Sequence, residues 1–199
     1  MHPDDLTHAV RALRQGNLVV YPTDTLYALG ADIFNEQAVR HVFTVKQRPL
    51  DIPLPVAVPD ILTLRRIAWT NPRIECLAHH FLPGSLTMIL TKKPTVPSMV
   101  TSGGESIAVR IPDHPVALDL TRQVGPLTVT SANLHDFPPS SIISDIAMHL
   151  HSQDVAVYLD AGPLQGQPST IIDMTAGEPR LVRQGRLSFQ HILDAMTDE

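Results

Sequence analysis

Interleaved strand and helix patterns predict an α/β or α+β sheet fold. Three observations carry that expectation: the alternation of "SIAVRIP", the helical face formed by Leu6, Ala9, Val10 and Leu13, and turn residues such as Pro83 and Gly84 between patterned segments. At 199 residues the chain fits a single domain over 1–199, with no internal repeat, linker or low-complexity stretch. Hydrophobic residues make up 43% and charged residues 18%, which argues against disorder, and an aromatic content of 5% requires an aliphatic core.

The first helix has Asp4 or Asp5 as its expected cap and Gly16 as its stop, and "LVVYP" follows as a strand. "TDTLYALGAD" reads as turn-rich. Asn35 can cap a second helix in which Ala38, Val39, Val42 and Phe43 share a face, and Pro49 forbids its continuation past Lys46. "PLPVAV" reads as a strand. A third helix is expected from Ile61 to Trp69, and a fourth begins with Asn71 and Pro72 at N-cap and N1. Strand "SLTMIL" comes next. In "SIAVRIP" Ile107, Val109 and Ile111 face one way and Ser106, Ala108 and Arg110 the other, which sets Arg110 on the less apolar side. A helix over 115–123, a strand "LTVTSAN", a helix marked by Ile142, Ile143, Ile146, Ala147 and Leu150, strands "VAVYLDAG", "STIIDMT" and "RLVRQG", and a short helix from Ser188 complete the chain.

A net charge of −5 means that any nucleotide or nucleic acid must be met by a local basic patch. Cys76 is the only cysteine, so an internal disulfide and a multi-cysteine metal site are excluded and a reducing, cytoplasmic address is expected. No run approaches the roughly 18 apolar residues that span a bilayer, so no membrane partner is expected. The 18 prolines suit stiff loops around preformed pockets.

GxxxxGK[ST], GxGxxG, HExxH, CxxC and GxSxG are all absent, which removes the common nucleotide cradles, zinc hydrolysis and elbow-type acyl transfer. Asp145, His149 and His151 could make a metal half-site, but a solvated helix edge explains them more simply, as it does His79 and His80, and no metal site is expected. Lys46 and Arg48 alone would complement a helix dipole, worth a few tenths to about 1 kcal/mol. Their company changes the balance. Thr23 and Thr25, Arg110, Ser131 and Asn133, and Arg183 with Gly185 fall at four further strand ends, a set suited to phosphate and carboxylate anions.

These segments resemble the YrdC-like family, whose threonylcarbamoyl-adenylate synthases serve tRNA modification. "YPTDTLYALG", "KQRP", "SIAVRIP", "TSAN", "STIIDMT" and "VRQG" run in family order from about residue 18 to 186. The resemblance implies a twisted, mostly mixed or antiparallel sheet with flanking helices and a concave, cation-lined cavity. It implies a reaction in which L-threonine and bicarbonate give a carbamate that attacks the α-phosphorus of ATP, releasing pyrophosphate. Thr25 and Arg110 would bind threonine; Lys46 and Arg48 would hold triphosphate oxygens and, with Ser131 and Asn133, form the catalytic set. Ser106, Ser131, Asn133 and Arg183 would join the ATP contacts, and Mg²⁺ would arrive with ATP. tRNA and separate threonylcarbamoyl-transfer proteins are the further partners implied.

The chain departs from the family pattern at Ala28 (usually Gly), Ile52 (often Lys or Asn) and Ala57 (often His). A paralogue activating another carbamate or carbamoyl group therefore stays open, as does a non-catalytic RNA-binding module.

Overall fold

The computed structural model describes residues 3–150, 154–164 and 166–197. In chain order these form α1 (Pro3–Arg14), β1 (Val19–Tyr21), β2 (Ala28–Gly30), α2 (Glu36–Lys46), β3 (Val56–Ala57), α3 (Ile61–Ile67), α4 (Pro72–Phe81), β4 (Leu86–Thr91) and β5 (Ser106–Arg110). Then come α5 (Pro115–Val124), β6 (Leu127–Thr128), β7 (Thr130–Ser131), α6 (Ile143–His149), β8 (Val157–Tyr158), β9 (Thr170–Asp173), β10 (Arg180–Arg183) and α7 (Phe189–Thr197).

Local chemistry sets the helix ends. Asn35 Oδ1 accepts from Ala38 N–H to open α2, and Asn71 does the same for Ile74 in α4, with Pro72 in the first turn. α1 starts at Pro3, so both aspartates expected as caps lie inside it, and Gly16 ends its trailing turn at φ +83. α3 stops at Ile67, two residues short of the expected Trp69, because Ala68 is already extended and bridges Lys92.

The strands form two mixed sheets, one ordered β7-β2-β1-β8 and one ordered β10-β9-β4-β5-β3-β6. β1 runs antiparallel to β2 and parallel to β8; β4 runs antiparallel to β5 and parallel to β9. Two readings of the sequence need correction. "TDTLYALGAD" contains a buried strand, β2, whose partners β1 and β7 satisfy its backbone on both sides. "LTVTSAN" is two short strands in different sheets: β6 pairs with β3 and β7 with β2. Thr128 stitches that seam, its hydroxyl donating to Leu29 O and accepting from Ala31 N–H while its carbonyl accepts from Tyr21 Oη.

The interior is aliphatic, with Tyr21, Tyr27 and Phe43 as its buried aromatics. One apolar cluster fills the space around the six-stranded sheet, α2, α3 and α4; a second lies beneath α1 and α5, where Ala9, Leu13, Ala117 and Leu120 meet. Each fully buried leucine there contributes about 1.5–3 kcal/mol. No helix among the described residues is long and apolar enough to cross a membrane.

Candidate functional site

A cavity of about 400 Å³ opens where the two sheets meet, lined from β4, β5, β7, β9, β10 and the loops after β1 and α2. None of its described lining residues is a carboxylate, while Arg48, Arg110 and Arg183 all reach it.

Arg110 forms one wall. The β5 pleat sends Ile107 and Val109 into the core and turns Ala108 and Arg110 toward the cavity, with Arg110 only 4% exposed. A buried guanidinium must be paired. Here Nη1 donates to Thr25 Oγ1 at 2.9 Å, and Nη2 donates to Asp24 Oδ1 at 2.6 Å and to Gly84 O at 3.0 Å. Nε is buried and has no hydrogen-bond partner among the described residues. Burial lowers the Arg110 pKa, opposed by the charge of Asp24 and then of Tyr21, and an arginine stays cationic under such a load. Thr23 and Thr25 share a hydroxyl contact at 3.0 Å that fixes the loop holding this wall.

Arg183, on the edge strand β10 of the same sheet, lines the cavity as well. Its Nε and Nη2 both donate to Ser169 O, at 3.2 and 2.9 Å, and Ser169 Oγ lies 2.8 Å from Thr87 Oγ1. Gly185 makes this approach possible, since a Cβ there would sit 2.4 Å from Pro168 O. Burial lowers the pKa of Arg183 and the charge of Arg110 lowers it further. Arg48 follows the left-handed cap Gln47, which turns the chain out of α2, and donates to Ile52 O and Pro53 O on the rim.

Of the residues marked in the sequence, Thr23, Thr25, Arg48, Arg110, Ser131 and Arg183 line this cavity. Lys46, Asn133 and Ser106 do not. Lys46, expected on triphosphate oxygens, is 2% exposed, and its Nζ donates to Ser131 O and Asn133 O, both at 2.6 Å, with Asn133 Oδ1 at 3.5 Å. Burial, and then the charge of Arg48, lowers it to about 7. Asn133 spends its amide on Leu134 O and Phe137 O, closing a turn. Ser106 shares the Arg110 face of β5 but sits at the far end, opposite Thr91. Of the departures from the family pattern, Ile52 and Ala28 line the cavity, whereas Ala57 is buried in β3 and does not.

Asp24, Thr87 and Ser169 were not singled out from the sequence. Asp24 stands between the two marked threonines and Ser169 opens "STIIDMT", so both had a signal; Thr87 reads as an ordinary strand residue. Among the described residues no three His, Cys, Asp or Glu side chains gather to hold a metal; Asp145 accepts from Ser140, and His151 lies outside the described residues.

A match to the Sua5/YciO/YrdC family, described as telomere recombination, spans residues 11–185. The chain belongs to the Sua5/YciO/YrdC family. It is similar to the threonylcarbamoyl-AMP synthase of Bacillus subtilis (strain 168), 37% identical over 191 residues covering 94% of this chain and 55% of that protein. It is also similar to the threonylcarbamoyl-AMP synthase of Vibrio vulnificus (strain YJ016), 34% identical over 185 residues covering 91% of this chain and 98% of that one. The crystal structure of Pyrococcus abyssi Sua5 complexed with L-threonine superposes with a TM-score of 0.92 at 34% identity, over 96% of this chain and 57% of that one. The Sua5/YciO/YrdC chain thus spans a little over half the length of the Bacillus and Pyrococcus proteins and nearly all of the Vibrio one.

Proposed function

We propose that this chain is a threonylcarbamoyl-AMP synthase, a nucleotidyltransferase that joins L-threonine, bicarbonate and ATP. One observation carries the reading: a buried Arg110, fixed by Thr25 and Asp24, lines a cavity together with Arg48 and Arg183, and none of the described lining residues is a carboxylate. A volume of about 400 Å³ suits a small-molecule site. The similarity to named synthases along most of the chain supports the same conclusion.

Arg110 and Thr25 bind the amino-acid carboxylate, where a fixed guanidinium gives orientation as well as charge. The threonine nitrogen and bicarbonate form a carbamate with loss of water. A carbamate oxygen then bonds to the α-phosphorus, the bond from that phosphorus to the bridging oxygen breaks, and pyrophosphate leaves with the electron pair. Arg48 and Arg183 offset the charge gathering on the leaving group, since such transfers depend on positioning and electrostatics. Ser131 donates to nucleotide or carbamate oxygens. Mg²⁺ brought with ATP would supply charge neutralisation for the phosphates; Asp24, the acid beside the wall, is committed to Arg110 and would offer it no cage. The labile product passes to separate transfer proteins acting on tRNA.

Purified protein with ATP, bicarbonate, Mg²⁺ and single amino acids should release pyrophosphate with threonine and not with serine, and mass spectrometry should find threonylcarbamoyl-AMP. Release with another carbamoyl donor instead would identify a paralogue. Salt-sensitive RNA retention without any release would identify an RNA-binding module.

A further inference from the structure

We infer that Lys46 is a positioning residue that holds the turn from Ser131 to His135 from outside the cavity and contacts no substrate. This rests on the proposed reading of the site and assigns Lys46 a different part in it from that of Arg48, two residues on.

The placement begins with the helix. Val39, Val42 and Lys46 recur at i, i+3 and i+7 on the buried stripe of α2, so the helix that packs its valines inward carries the lysine inward as well. A buried ammonium is costly unless its donors are met. Nζ has three protons and three acceptors within reach: Ser131 O and Asn133 O at 2.6 Å, and the weaker Asn133 Oδ1 at 3.5 Å. With its protons committed to the turn it has none to offer a phosphate, and it does not line the cavity.

The tie is double. The Lys46 carbonyl accepts from His135 N–H at 2.7 Å, so the same residue grips both ends of the turn. Within it, Asn133 N–H donates to Ser131 O and the Asn133 amide to Leu134 O and Phe137 O. At its start, Ala132 N–H donates to Tyr27 O, beside β2. Two main-chain carbonyls of the turn, those of Ser131 and Asn133, accept from Nζ at 2.6 Å, a pair of bonds that a neutral amine with two N–H groups makes as well as an ammonium. Ser131 is the member of this turn that reaches the cavity, so Lys46 acts on the substrate through Ser131.

Two measurements on the intact chain test this. Hydrogen exchange of the ligand-free protein should show amides of residues 131–136 exchanging at least tenfold faster in Lys46→Met than in wild type, with the β4 and β5 amides unchanged. Equal exchange in the turn would overturn the tie. Calorimetry should then show Lys46→Met weakening ATP and AMP by the same factor, and Ser131→Ala adding little to that loss in the double variant. A loss confined to ATP would mean direct triphosphate contact, and no loss for either would mean no part in binding; both overturn the proposal. A global fall in exchange protection would mark Lys46 as a fold residue only. Lys46→Gln, whose neutral amide keeps two N–H donors without the charge, replaces Lys46→Met should the latter not fold. If wild type binds neither nucleotide, the reading of the cavity fails, and the exchange experiment still decides whether Lys46 holds the turn.

Discussion

The two arginine walls of the cavity differ in how their charge is carried. Arg110 is interior, paired with an acid, a hydroxyl and a carbonyl, and held by five groups from four segments when the contacts of Asp24 to Asp113 and Arg186 are included. Arg183 lies on an exposed edge strand with its guanidinium partly covered, has no acid beside it among the described residues, and leans on a single carbonyl and hydroxyl. A cation taken out of water must be over-determined by its partners, whereas one left in water needs only a direction. Under the proposed reading the first would anchor the amino-acid carboxylate and the second would meet phosphate charge.

Substitutions can break that contrast. Arg110→Ala should have the largest effect: it strands Asp24 and removes the anchor, so kcat/KM for threonine should fall by more than about 100-fold and Tm should drop by several degrees. Arg183→Ala should cost about tenfold, or about 1.4 kcal/mol, in ATP affinity while threonine affinity and Tm stay as they are. Were Arg183→Ala the more damaging to threonine use, the assignment of the two walls would be reversed. Thr87→Val keeps the shape and removes the hydroxyl beside Ser169, and should cost about 1 kcal/mol in stability with a few-fold change in activity. The smallest effect is one of pH. Lys46 titrates at about 7 in the fold against an ordinary 10.5, so between those values the unfolded chain holds the extra proton. Denaturant titrations should therefore find wild type gaining stability relative to Lys46→Met as pH rises from 7 toward 10, with a flat difference below 7.

Much of this was legible in the sequence. Capping by Asn35 and Asn71, the pleat of β5 and the marked clusters at strand ends depend on neighbours within a few residues, and short-range patterns report them. β2 escaped because one of its two partners, β7, is remote in sequence, while its own residues include a glycine and follow a threonine-rich turn. Lys46 and Arg48 look alike as cations in "KQRP", yet the helical face that buries Val42 takes Lys46 with it and releases Arg48 after the left-handed Gln47. That distinction was present in the period of α2. The pairing of Thr87 with Ser169 was not, because residues 82 positions apart meet only once β4 and β9 are side by side.

Thr128 and Tyr21 join sheets that contribute opposite sides of the binding space, Ser131 from one and Arg110 from the other. The spacing between Ser131 and Arg110 is thus set by how the two sheets are joined, through bonds of Tyr21 and Thr128 that lie outside the cavity lining. Loosening that joint would widen the jaws and misalign the reacting atoms even with every lining side chain intact.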